Sequence, residues 1–315
     1  MLFKNILDQK TAELQPEFDN LFLDTLKNQS HVGDLLLIQV NGFYNKENHK
    51  YTNIEKKLSP YVIGHGHEGH SENLHHQFIG NYIKDAISTQ PYDEYKNLHK
   101  WNPESIEERD ELEKQEADSI QKEMLIYLKI WEGDLFIKKF YQLIRLNNGL
   151  DYDWHFSIAE SNRDKKATGT RDNIIRRKIR DKLKEKYPTI YTGIENAYKS
   201  QIRNSIGHSK YSIHGSYIHL NNYIEEDQYS QIQVVSFNEW VNIIHDTLII
   251  YTQQTRLLNI IDKFYSNLSM KTDLTMEVKV NRTDPINVIE YHLLKHRPQW
   301  NDWYWKANDE EIQTA

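Results

Sequence analysis

The strongest constraint on the fold of this chain is a dense apolar stripe between Ile120 and Leu146. Met124, Tyr127, Leu128, Trp131, Leu135, Phe140 and Ile144 recur at spacings close to the period of an α-helix. Such a face is stable only when other elements cover it. Gly133 is expected to split the stripe into two packed helices, and Asn147-Asn148-Gly149 to stop the second. A further long helix is expected from about 237 to 267. It opens at Ser236-Phe237-Asn238-Glu239, a capping box in which Ser and Glu three apart satisfy two orphan N–H groups reciprocally. The fold class that follows is mainly α.

The remaining elements fit around these helices. Phe18, Leu21, Phe22 and Leu26 mark a helix near 16–28, and 34–44 reads equally as helix or strand. Ser71 is read as an N-cap, with Glu72 in the first turn, for a helix burying Leu74, Phe78, Tyr82, Ile83, Ala86 and Ile87 and stopping before Pro91. Asn102-Pro103-Glu104 is a helix start, followed by a highly charged stretch to about Ser119. Residues 149–170 read as a long loop. Thr170 caps a basic helix over 171–187, which ends before Pro188. The next helix, 189–207, has the apolar face Ile190, Ile194, Ala197, Tyr198, Ile202 and Ile206. A β-hairpin near 211–235 turns at His214-Gly215-Ser216. A strand (272–280), a short helix (284–296) and a Trp-rich end complete the chain. The expected division is 1–114, a mostly helical region of unassigned role; 115–268, a helical bundle with its hairpin; and 269–315, a C-terminal extension.

Composition narrows the chemistry. The 315 residues include no cysteine, which excludes disulfides, thiolate catalysis and Cys-based zinc sites and fits a reducing cytoplasmic setting. The N-terminus lacks a signal-peptide apolar run, and no stretch approaches a membrane span. Net charge is −7, yet Arg163 to Lys186 hold eleven Lys/Arg against four Asp/Glu. Such a local field can attract a phosphate backbone even on an acidic protein. Arg171, Arg176, Arg177, Lys178 and Arg180 are the candidate RNA-binding residues, against the plainer reading of a solvated helix face.

The run Arg203-Asn204-Ser205-Ile206-Gly207-His208 closes the helix that follows the basic one. It places a fixed cation, an amide and an imidazole within about one and a half turns. RNA carries its own nucleophile, the 2′-OH. Cleavage needs a base for its proton, an acid for the leaving 5′-oxygen and a cation for the phosphate. Histidine suits the proton transfers, and arginine offers forked donors to phosphate oxygens; no metal or cofactor is required. The spacing by itself is no more than a chain with 15 histidines would produce by chance. Gly207 would let the helix end loosen and bring His208 toward Arg203.

The ordered context adds specificity. Ile202-Arg203-Asn204-Ser205-Ile206-Gly207-His208-Ser209, then a short hairpin, then Ser-Phe-Asn-Glu-Trp opening a long helix, resembles a HEPN domain over roughly 115–268. That superfamily carries an Arg-x(4–6)-His motif, commonly with a polar residue after the arginine. The resemblance implies an up-and-down helical bundle and a metal-independent endoribonuclease. It also implies a homodimer with a composite active site, and a toxin-like effector of prokaryotic antiphage defence with an antitoxin, an activator or another defence subunit as partner. Carried over, Arg203 holds phosphate, His208 is the acid/base and Asn204 orients them.

Other features compete. His65, His67 and His70 lie in a Gly-rich run and are candidate metal ligands, although their spacing matches no zinc-site pattern. Trp300, Trp303 and Trp305 could stack on bases or simply fasten the tail. Two alternatives to a ribonuclease therefore stand: a non-catalytic helical RNA- or protein-binding module, and a metal-dependent hydrolase using the His65–His76 region.

Overall fold

The computed structural model describes residues 2–44, 61–63, 69–98, 106–161, 163–283 and 286–306. Along the chain, β1 (Leu2–Phe3) and α1 (Lys4–Asn28) are followed by α2 (Asp34–Val40), β2 (Phe43–Tyr44) and β3 (Tyr61–Val62). Then come α3 (Gly69–Ala86), β4 (Ile87–Ser88), α4 (Tyr92–Leu98), α5 (Ile106–Trp131) and α6 (Asp134–Asn147). After β5 (Ile158–Ala159) and β6 (Gly169–Thr170), a helical stretch passes through α7 (Arg171–Asn173), a π segment (Ile174–Arg180) and α8 (Asp181–Leu183). It leads to α9 (Pro188–Ala197), α10 (Ser200–Gly207), β7 (Tyr211–His214), β8 (Tyr217–Leu220), β9 (Val234–Ser236) and α11 (Phe237–Ser269). Strands β10 (Thr275–Thr283), β11 (Ile286–Arg297) and β12 (Asp302–Lys306) end the described chain. The protein is mainly helical, with small sheets.

Two compact units form: Met1–Phe18, Leu74–Gly133 and Leu183–Gln253; and Asp19–Asn73, Asp134–Lys182 and Gln254–Ala315. Residues 1–114 and 115–268 each contribute to both.

In the first unit the aromatic face of α5 meets α11. Tyr127 and Trp240 pack with ring centroids 5.7 Å apart, and Trp131 Nε1 donates to Thr247 Oγ1 at 3.2 Å. Buried Glu123 accepts from Trp240 Nε1 (2.7 Å) and from the Tyr82 hydroxyl (2.8 Å), so this carboxylate is fully engaged by its neighbours. The capping box forms as expected: Ser236 N–H donates to Glu239 Oε2 (2.7 Å), and Glu239 N–H to Ser236 Oγ (3.2 Å). The hairpin β7–β8 forms across Gly215-Ser216, with Gly215 at φ +56° as the tight loop requires, and β9 adds a third strand.

Helix α3 departs from its expected face. Ser71 lies within the helix, Leu74 and Phe78 are 65% and 40% exposed, and Ile79 is buried instead. The inward face is built from His76, whose ring contacts Tyr251, together with Ile79 and Tyr82. Side chains with polar tips pack there, and hydropathy undervalues them. The start signal at 102–104 lies outside the described residues.

In the second unit, α2 resolves the ambiguity of 34–44: a buried helix followed by the short strand β2. Gly33 permits the close approach of α2 and β10, since a Cβ there would lie 2.1 Å from the Glu277 carbonyl oxygen. The helix expected over 284–296 is instead strand β11, central in the antiparallel order β10-β11-β12. Leu294 and His296 are buried while Ile289 and Tyr291 are exposed, the period of two that defines a strand. The inward positions include His292, which packs on Trp305 (4.5 Å), and His296, which packs on Trp303 (4.8 Å). Trp303 and Trp305 thus fasten this sheet, and Trp300 is exposed.

Candidate functional site

The motif lies on a shorter helix than its sequence predicts. Tyr198 and Lys199 are extended, so the expected helix over 189–207 breaks into α9 and α10. No proline or glycine marks this break. It is held by α5: the buried Tyr127 hydroxyl donates to the Ala197 carbonyl (3.1 Å) and accepts from Lys199 N–H (3.0 Å). Tyr198 packs its ring against Trp131 at 5.1 Å. The N-terminus of α9 has Pro188 at its first position, and both oxygens of Glu17 accept its free amides, from Thr189 (3.0 Å) and Ile190 (2.9 Å). The apolar face Ile190, Ile194, Ala197, Tyr198, Ile202 and Ile206 is buried.

Gln201 is a positioning residue the sequence reading missed. Its buried side-chain amide donates to the Ile232 carbonyl (2.7 Å) and accepts from Ile232 N–H (2.8 Å), tying α10 to the segment before β9. Nothing in the local sequence signals this, because the partner lies 31 residues away.

Helix α10 closes firmly. His208 is the C-cap residue, Ser209 N–H donates to Ile206 O (3.2 Å), and Lys210 N–H donates to Ser205 O (2.7 Å). These are the two bonds of a Schellman motif. The left-handed residue is Ser209, at φ +52°. Gly207 remains helical, so the expectation that it loosens the helix end and swings His208 inward is not met.

The structure joins Arg203 to Asn204: Arg203 Nη2 donates to Asn204 Oδ1 at 2.6 Å. Arg203 Nη1 bonds Glu132 Oε1 at 2.7 Å, just beyond the end of α5. His208 is exposed, and among the described residues no side-chain hydrogen bond joins it to Arg203 or Asn204. Arg203, bonded to Asn204, and the exposed His208 therefore share one short helix and its C-cap. The cation is engaged by a carboxylate that an anionic ligand must displace.

The basic segment belongs to the second unit as far as Lys182. Thr170 caps it, its hydroxyl accepting from Asn173 N–H (3.4 Å). Ile174, Ile175 and Ile179 are buried. Residues five apart are 140° apart in an α-helix, whereas the i→i+5 bonding of a π-helix brings them to one face. Asp181 N–H accordingly reaches back to Arg176 O. Most cations here are internally paired: Arg171 with Asp134 (2.5 Å), Arg176 with Asp172 (2.8 Å) and Arg180 with Asp181 (2.7 Å). Lys178 Nζ donates to the Thr168 carbonyl (2.6 Å). Arg177 is exposed and has no ion pair among the described residues.

His65 and His67 lie outside the described residues, and His70 is described only by its place in α3. Among the described residues no group of three or more His, Cys, Asp or Glu is arranged to hold a metal ion, and no helix is long and apolar enough to cross a membrane. Comparison with protein-family models, curated proteins and solved structures returned no significant match.

Proposed function

We propose that this protein is a metal-independent endoribonuclease of HEPN type that cuts RNA through attack of the 2′-OH. The observation that carries the reading is the arrangement on α10: Arg203 oriented by Asn204, and His208 exposed at the C-cap of the same helix. The β7–β8 hairpin and the capped α11 follow it in the order that the resemblance requires. In this reading His208 exchanges protons with the 2′-OH and the leaving oxygen. Arg203 exchanges Glu132 for a phosphate oxygen, and Asn204 keeps the guanidinium in place. One chain supplies half of the site, and a second copy related by a two-fold axis completes it. A cytoplasmic toxin-like effector of antiphage defence, held in check by an antitoxin or released by an activator, is the role that goes with this chemistry.

A second reading has its own support. Arg203 is already satisfied by Glu132 and Asn204, as in a structural ion pair of a non-catalytic RNA- or protein-binding module.

Total RNA incubated with the purified full chain in EDTA separates the readings. Cleavage that survives chelation and disappears in both Arg203→Ala and His208→Ala supports the ribonuclease. RNA binding without cleavage, retained in both variants, supports the binding module. Activity abolished by EDTA points to a metal-dependent hydrolase at the His65–His76 region.

A further inference from the structure

The second unit contains a cavity of about 380 Å³ that none of the motifs accounts for. Its aromatic walls are Phe43, Tyr44, Trp154, His155 and Phe156. They are fixed rather than loose. Trp154 Nε1 donates to the Lys279 carbonyl (3.1 Å), and its ring packs on Tyr61 (5.5 Å). A Cβ on Gly42 would stand 3.0 Å from that ring, so the chain entering β2 passes close against it. Tyr44 and His155 meet edge to face at 4.7 Å, and His155 Nε2 bonds the Asn281 carbonyl (3.2 Å). Two charged groups complete the lining: Asp134, in the first turn of α6, and Lys138, whose ammonium donates to the Gly42 carbonyl (3.0 Å).

The same cavity adjoins the basic segment. Ser157 and Ile158 line it, and both are bonded to the chain that leads into that segment. Ser157 N–H donates to Thr168 Oγ1 (3.2 Å), Thr168 N–H donates to the Ser157 carbonyl (2.9 Å), and Ile158 pairs with Gly169. Arg171 then reaches Asp134 in the cavity wall (2.5 Å). An aromatic-lined space with polar groups in its wall thus stands at the start of a cationic strip, all within one unit. Its volume is at the low end for small-ligand sites, enough for one base with its sugar. Aromatic rings offer stacking to any base, and phosphates favour the cations alongside.

We propose that this cavity takes up one unstacked nucleobase of a single-stranded RNA whose phosphates run along Arg171–Arg180, and that it thereby sets base preference. The proposal rests on the RNA-cleavage reading above. Asp134 and Lys138 offer an acceptor and a donor to the base edge, while the rings hold its faces. Arg177 contributes a phosphate contact that carries no sequence information.

The test uses the full chain carrying His208→Ala, so that RNA is not consumed. Fluorescein-labelled U8 and its derivatives with a central A, C, G or abasic nucleotide are titrated by anisotropy, beside the four nucleoside monophosphates. The expected result is at least a tenfold spread among the bases, a similar loss for the weakest base and the abasic oligonucleotide, and much weaker binding of monophosphates. Tyr44→Ala and His155→Ala should compress the spread to about twofold, whereas Arg177→Glu should weaken every oligonucleotide alike. The abasic oligonucleotide probes the same contact without altering the protein fold. If it binds as tightly as the best base, or if both ring variants keep the spread, the cavity takes no base and the RNA reading stands. If a monophosphate binds as tightly as an octamer, the cavity is a free-nucleotide site and the proposal is overturned. If no RNA binds, the RNA reading fails and the cavity proposal with it.

Discussion

Replacing Tyr127 by Phe removes a single oxygen, yet it should damage the motif helix. That oxygen is fully buried and bridges the break between α9 and α10, accepting from Lys199 N–H and donating to the Ala197 carbonyl. Phenylalanine keeps the ring contact with Trp240 and leaves both backbone groups without this partner. An unsatisfied buried polar group costs about 1–3 kcal/mol, so two groups with partial relaxation should cost about 2–3 kcal/mol in all. For a unit of this size that lowers Tm by roughly 5–10 °C. The effect should also be local. Hydrogen exchange at Arg203 N–H, which bonds the Lys199 carbonyl at 3.0 Å, should accelerate more than exchange in the middle of α11. Thermal unfolding together with amide exchange of both proteins checks this. A Tm within 1 °C of the parent and unchanged exchange at α10 would refute the view that Tyr127 holds the break.

Three further predictions concern charge and backbone. Burial raises the Glu116 carboxyl to about 7, opposed by the Tyr95 hydroxyl, and lowers the His245 imidazolium to about 4. The folded state therefore holds an extra proton on Glu116 between about 4.5 and 7, and stability falls as pH rises through that window. His245 acts oppositely, being protonated more readily in the unfolded chain between about 4 and 6.5, so stability rises with pH there. Each contribution amounts to about 3 kcal/mol, and they nearly cancel from about pH 4.5 to 6.5. Glu116→Gln should expose the rising slope in urea unfolding, and an unchanged flat profile would count against it. Ser209→Gly relieves a left-handed residue in the Schellman motif and should stabilise the protein by about 1 kcal/mol in the same assay. Glu132→Ala frees Arg203 and should strengthen RNA binding by roughly two- to fivefold at low salt, with the gain fading as salt rises.

What was legible in the sequence is what is local. The Ser236–Glu239 box, the Thr170 cap, the Gly215 turn and the stop at Gly149 each depend on residues within a few positions of one another, and each forms. The Tyr198–Lys199 break was hidden because the group that satisfies it lies 72 residues away. The clamp of Glu132 on Arg203 was hidden in the same way, at a separation of 71. Strand β11 was misread because His292 and His296 occupy inward positions, and their polarity masks the alternation that Leu294 alone cannot show. The π segment left no distinctive signal, since Ile174, Ile175 and Ile179 span an arc of about 140° that a wide buried face of an α-helix also covers. The Arg203–Asn204 contact follows from adjacency. The position of His208 was legible only as the end of a helix, since the Schellman closure depends on Ser209 adopting a conformation that serine rarely takes.

If His208 moves a proton for a nucleophile that RNA itself supplies, as proposed, the cut ends must record it. The most direct measurement is the chemistry of the cut ends. A short labelled RNA cleaved by the full chain in EDTA, with products resolved by mass spectrometry, should show 2′,3′-cyclic phosphate on one side and 5′-hydroxyl on the other, and His208→Ala should yield neither. Products ending in 3′-hydroxyl and 5′-phosphate, or the same ends at an undiminished rate from His208→Ala, would contradict it.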